Sequence, residues 1–321
     1  MLNKLLNRAQ GYDIETKVMG ITNHLPMALI ALERLGATPK RLNEYFEFYV
    51  EKLNPLEYFP YDGEFKWLNH LGEKDKFGAY LDFYLSQIYF YGINFTLSTH
   101  IEKLLQGCVA SAFHALIRLS YGIMQLNSKE VAFGLAHMSS HFLLLPEPLK
   151  SDMQPSALID KALNAFSNYE AVGDSITKRM TDIAEHHGFA NVNRYPEDLS
   201  LGSFSTLFSQ LYLRSNNFTI LHTVTSCHAM RVLLPYIQDK NTALKSYWSA
   251  ALVAVLSINH LSLSGIEVAS FKSTDELSFS DAIKSNDDHI IKLVFSCIEE
   301  YKYYNEINHL MILKEKLNTN I

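Results

Sequence analysis

The chain has 321 residues, 48% of them hydrophobic, and a net charge of −6 spread over interspersed acids and bases. It can bury a large core, but it lacks the basic clusters that a nucleic-acid backbone would need. The first residues hold no apolar stretch of signal-peptide length, the longest apolar run (248–258) falls short of the roughly 20 residues that span a bilayer, and three scattered cysteines form neither a disulfide framework nor a zinc ribbon, so a cytoplasmic protein without a membrane span is expected.

Along the chain, apolar residues recur every three or four positions, and strand-like alternation is scarce. Pro26 opens a helix over 27–35 that Gly36 ends, and Thr38 caps a second over 39–53. Residues 54–76, rich in Pro, Gly, Tyr and Asp, read as an irregular aromatic loop and a candidate lid. Helical patterns then cover 78–91, 101–126, 129–145, 158–187, 201–215, 218–237, 243–263 and 281–317. The longest connection, 264–280, does not have the composition of an interdomain linker. The expected architecture is all-α: a single-domain multi-helix bundle over 1–321 with irregular aromatic-rich loops. Phe113-His114-Ala115-Leu116-Ile117-Arg118 echoes Cys227-His228-Ala229-Met230-Arg231, as a duplicated helical half or a chance recurrence would produce.

No Gly-rich dinucleotide fingerprint, P-loop, nucleophile elbow or zincin motif is present. What stands out is thirteen histidines, several within apolar helical runs. His114 sits in such a run. His222 and His228 share another, where six residues mean about 120° of rotation and about 9 Å of rise, so one helix can hardly aim both at one ion. His289 and Lys292 lie three apart and share a face. Any one of these reads equally as a hydrogen-bonded core residue, and Lys292 as a snorkelling side chain. Convergence of His24, His114, His222 or His228, and His289 inside a bundle would make a transition-metal site.

Arg118 and Arg231 are candidates for an anionic substrate group or for ordinary ion pairs. His137 and His141 read as packing, and His186-His187 as the cationic end of a helix. His70, His100 and His309 read as surface or structural residues, while His260 stays open. Asp287 and Asp288 read as carboxylates at the start of the last helix. The aromatic residues of 77–91 suit either a pocket wall or ordinary core.

Four separated segments resemble the questin oxidase-like family. They are Asn23-His24-Leu25-Pro26 with the run to Ala37, His114-Ala115-Leu116-Ile117-Arg118-Leu119 with Tyr121-Gly122, His222-Thr223-Val224-Thr225 with His228-Ala229-Met230-Arg231, and Asp288-His289-Ile290-Ile291-Lys292-Leu293. They come in the family's order. The resemblance implies an oxidoreductase acting on an aromatic, polyketide-like substrate. Some members are described as NADPH-dependent; others hold non-haem iron through histidines and a carboxylated lysine. It thus points to His24, His114, His222, His289 and Lys292 around iron or another divalent transition metal, with His228 or Arg231 in a catalytic role and Arg118 and Tyr121 toward substrate. A haem or hydrophobic-ligand binding protein and a helical interaction protein are the alternatives, since both also accommodate buried histidines.

Overall fold

The structure is a computed structural model that describes residues 1–18, 21–57, 61, 63–261 and 277–317. Helix α1 (Leu2–Ala9) and strand β1 (Tyr12–Thr16) open the chain, followed by α2 (Leu25–Arg34), α3 (Pro39–Val50) and β2 (Leu53–Pro55), which pairs antiparallel with β1. Helices α4 (Phe77–Leu105), α5 (His114–Met124) and α6 (Ser128–Ser140) come next. Strand β3 (Leu149–Lys150) pairs in parallel with β4 (Arg194–Tyr195), and between them lie α7 (Pro155–Ala165), α8 (Ile176–Glu185) and the single turn α9 (Phe189–Val192). Helices α10 (Leu201–Ser215), α11 (Phe218–Leu233), α12 (Lys240–Leu256), α13 (Ser280–Lys284), α14 (Asp288–Tyr304) and α15 (Ile307–Lys316) complete the described chain. The fold is all-α, as the periodicity predicts. None of the described helices is long and apolar enough to cross a membrane.

The predicted helix starts rest on local chemistry that the structure shows. Thr38 accepts from the Arg41 amide with Pro39 in the first turn, and Asn217 accepts from the Thr219 and Ile220 amides. Several predicted spans are too long or wrongly divided. The expected helix end at residue 91 coincides with a kink at Gly92, whose φ of 80° is non-helical and open to glycine, but the chain resumes helix at once rather than at residue 101, so α4 is two helical stretches joined at Gly92. The predicted span 158–187 is two helices, because Ser175 caps a new start at α8. The span 281–317 is three, with Asp287 capping α14 and Asn305, left-handed at φ 54°, ending it. The span 129–145 stops at Ser140. Of the connection at 264–280, residues 264–276 lie outside the described residues, as do 58–60 and 62 of the aromatic loop. What is described of that loop packs on α4: the Phe65 ring lies 4.9 Å from that of Tyr80, whose hydroxyl donates to the Trp67 carbonyl at 2.6 Å.

Buried apolar side chains form one cluster reaching from Leu2 to Leu317. Within it, α5 packs on α6 and α11, and α14 packs on α2, α11 and α15. The α5–α6 crossing is close because Gly134 meets Leu119 backbone: a Cβ there would fall 2.6 Å from the Leu119 Cα. Helix α11 is buried from Thr219 through Met230, so its polar side chains must find partners internally. Its hydroxyls do so on the helix itself, Thr223 donating to the Ile220 carbonyl and Thr225 to that of Leu221. Its two histidines also reach off it: His222 ties Nδ1 to the Phe218 carbonyl and turns Nε2 toward α5, and His228 turns toward α14.

Candidate metal centre

Four segments bring histidines to one place. His24 precedes α2, His114 is the first residue of α5, His222 lies in the first turns of α11, and His289 with Lys292 lies on α14. The His24 and His114 rings stack at 4.6 Å, those of His24 and His289 are 4.7 Å apart, those of His114 and His222 4.8 Å, and those of His222 and His289 5.2 Å. One nitrogen from each of His24, His114 and His289 lies within 4.8 Å of the others. Lys292 is buried beside them, its Nζ 3.8 Å from Asp288.

The orientation of the rings carries the chemistry. His24 Nδ1 lies 2.5 Å from Asp288 Oδ1, His222 Nδ1 donates to the Phe218 carbonyl at 2.8 Å, and His114 Nδ1 donates to the Ser111 carbonyl. Each Nδ1 therefore holds the proton, which leaves each Nε2 with a bare lone pair. The Nε2 of His24 is buried without a partner, and those of His114 and His222 face each other at 3.2 Å. Two lone pairs in that position repel unless a cation or a proton lies between them. Protonation is opposed by burial, which lowers His24 to about 3 and holds His114 and His222 well below the ordinary histidine range. Nδ1 tied to oxygen and Nε2 aimed inward is the arrangement found around bound metal ions, so these residues fit one.

Asp288, expected with Asp287 only as a carboxylate at a helix start, does lie in the first turn of α14, but it does more. The structure divides the doublet: Asp287 caps α14, while Asp288 reaches His24 and, at 2.9 Å, His289 Nδ1. Burial pushes the Asp288 carboxyl up, but His24, His289 and Lys292 around it hold it well below the usual carboxylate range. Burial lowers Lys292 to about 8 against the pull of Asp288. Two further residues went unnoticed. Ser111 gives its carbonyl to His114 and its hydroxyl to His137 Nε2 at 3.2 Å. Phe218, half exposed, holds its ring 4.6 Å from that of His289. The second member of an acidic doublet was the one sequence signal available, since a single residue can cap a helix.

The other candidates lie elsewhere. His228, six residues beyond His222, donates or accepts at Ser296 Oγ (3.1 Å), and its ring shares Phe295 with Tyr121. Arg118, read either as a substrate contact or as an ion-pair partner, makes a buried ion pair, its Nε 3.0 Å from Glu130. Arg231 likewise pairs with Glu300 at 2.6 Å, and Glu300 also accepts from Ser205. Both pairings share a reason: a guanidinium placed in a packed interior needs a carboxylate beside it. Tyr80 and Tyr84 belong to the core, Tyr84 bonding to Ser139, whereas Tyr89, Phe90 and Tyr91 are exposed. Segment 77–91 is therefore not a wall of the histidine group. His100 and His309, expected in exposed surroundings, are buried, His100 among the rings of Trp67, Phe83 and Tyr84 and His309 on Ser205. His260 is exposed and pairs with Glu170 at 3.2 Å. The three cysteines are buried and free.

Outside the histidine group, burial lowers His100 and His309 to about 4 and His228 to about 3, and holds His137 well below its ordinary range. These groups bind protons more readily unfolded than folded. Their neutral forms thus support the fold fully above about pH 6.5, and that support is lost as the pH falls toward the folded values, at roughly 1.4 kcal/mol per pH unit for each group. Urea unfolding followed at several pH values is expected to show midpoints that drop steeply between pH 6.5 and 4. A midpoint that stays flat to pH 5 would contradict these assignments.

No curated protein matches the chain closely enough to lend it a named activity. The sequence model of the questin oxidase-like family matches residues 21–203 and 212–297, which takes in every member of the histidine group, and the chain belongs to that family.

Proposed function

We propose that the chain is a metal-dependent oxygenase acting on an aromatic, polyketide-like substrate, with His24, His114, His222, His289 and Lys292 holding a non-haem iron. Family membership supports an oxidoreductase. The observation that carries the metal is the pair of inward Nε2 atoms of His114 and His222, 3.2 Å apart with both Nδ1 positions already committed to carbonyl oxygens. Bound there, iron would supply the redox chemistry that oxygen activation needs.

The chain's own residues set the conditions. Asp288 fixes the tautomer and angle of His24 and His289. The apolar walls of α2, α5 and α11 keep water from the inner face. Lys292, with its amine depressed to about 8, has a larger neutral fraction near neutral pH than an exposed lysine, as carboxylation of the amine requires. Access is from the side of His289, Asp288 and Phe218, which are only partly covered. There Phe218 offers a ring face to an aromatic substrate. Reduction by NADPH would be an addition suggested by the family alone. The whole chain, residues 1–321, acts as one domain in this reading, and its buried free cysteines suit a reducing cytoplasm.

The test is elemental analysis and an absorbance spectrum of the protein as isolated, followed by oxygen uptake with a polyhydroxylated anthraquinone-type substrate. About one iron per chain, no Soret band and uptake abolished by chelation are expected. A Soret band, or metal well below stoichiometry after supplementation, would overturn the reading in favour of a ligand-binding or scaffold role.

A further inference from the structure

Helix α4 buries one face well: Tyr80, Leu81, Tyr84 and Leu97 are all covered. Around its kink at Gly92 the other face carries Tyr89, Phe90, Tyr91 and Phe95 at 83%, 72%, 58% and 52% exposure. Their rings touch one another, Tyr89 with Phe90 at 5.1 Å and Tyr91 with Phe95 at 5.2 Å, forming a continuous ridge. Scattered apolar residues on a surface need no explanation, but a contiguous aromatic ridge does.

Two properties identify what would cover it. The first is charge. From Phe83 through Ile101 the sequence has no Asp, Glu, Lys or Arg. In a twofold dimer the same patch meets itself, so any charge near the axis would face its own copy. This stretch carries none. The second is area. An aromatic side chain presents about 150–250 Å², so the four rings offer roughly 400–650 Å² per chain, about half to four-fifths of the ~800 Å² per partner that a stable complex buries. An anionic membrane surface is a poorer match. Helices that lie on such surfaces carry lysine and arginine beside the apolar face, whereas the nearest in sequence here are Lys76 and Lys103, at the ends of α4, and the whole chain is net negative.

We propose that the aromatic ridge of α4 is a homodimer interface, formed by a second copy of this chain packed about a twofold axis near Gly92. It lies apart from the histidine group and does not depend on the metal reading. Sedimentation velocity of the full chain from about 1 to about 100 μM is expected to show a dimer, and Phe90→Glu or Tyr89→Lys to weaken it at least ~100-fold, because like charges then face each other across the axis. Both side chains are exposed, so at concentrations where the parent chain is itself monomeric the melting temperatures should coincide, and only the dimer's added stability should be lost. An equimolar mixture of Phe90→Glu and Phe90→Lys chains should regain the dimer. A chain that stays monomeric at about 100 μM, or a dimer that survives both substitutions, would overturn the proposal. So would a monomer that binds phosphatidylglycerol vesicles through Phe90.

Discussion

Replacing His114 or His222 by alanine is expected to lower bound metal from about one equivalent per chain to under about a tenth, with loss of oxygen uptake. Each substitution removes an inward lone pair and leaves the facing histidine with nothing to share. Asp288→Asn should act more mildly, weakening metal binding about 10- to 100-fold, because it disturbs the tautomers of His24 and His289 without removing either ring. Metal bound only to the folded chain also stabilises it, by about 4 kcal/mol at a thousandfold excess over the dissociation constant. Chelation should therefore lower the melting temperature of the parent protein and leave that of His114→Ala unmoved. His228→Ala is the control: its partner is Ser296, and the metal content should stay whole. Full stoichiometry in His114→Ala and His222→Ala would remove the basis for the centre.

Glu130→Ala should destabilise the fold by about 3–5 kcal/mol, as removal of one member of a buried ion pair does. Both side chains of the Arg118–Glu130 pair are only 1% exposed, so the guanidinium left behind would have no water to turn to. Gln10, whose amide donates to the same carboxylate at 3.0 Å, would keep only its longer bond to Asn127 Oδ1 at 3.3 Å. The double substitution Arg118→Met, Glu130→Leu should cost less than Glu130→Ala alone, since an apolar pair of similar volume leaves no buried charge. Urea denaturation of the three proteins measures this. A loss below about 1 kcal/mol in Glu130→Ala would mean that water or another acceptor reaches Arg118.

How far the sequence reaches is clear from these residues. Capping chemistry located the start of α3, because Thr38 and Pro39 act through backbone groups a few residues away, and periodicity located the start of α11 at Phe218, but the expected span 101–126 ran through the break that puts His114 at the head of α5. The separation of His222 from His228 followed from helix geometry alone, and the structure sends one toward His114 and the other to Ser296. The partners of Arg118, Arg231 and Asp288 were not legible. Asp288 meets His24 across 264 positions and Arg231 meets Glu300 across 69, and such pairings are set by packing rather than by local pattern. Burial of His100 and His309 was missed for a related cause. Each sits in a mixed sequence beside an exposed residue, Thr99 in one case and Ile307 close by in the other, and only the tertiary arrangement shows which way the imidazole turns.

Just before α5, Ser111, Ala112 and Phe113 hold φ values of 50°, 50° and 66°, a left-handed run of three buried residues without a glycine. Left-handed backbone costs such residues roughly 1–2 kcal/mol each. The run is what aims His114 inward and places the Ser111 carbonyl against it. A spring of this kind stays wound only while its housing is closed, and the housing includes the α5–α6 crossing and the contact with α8. Substitutions that loosen those contacts should first misdirect one imidazole and only later unfold the chain. In practice, the metal content of a variant would report damage to the housing earlier than its melting curve does.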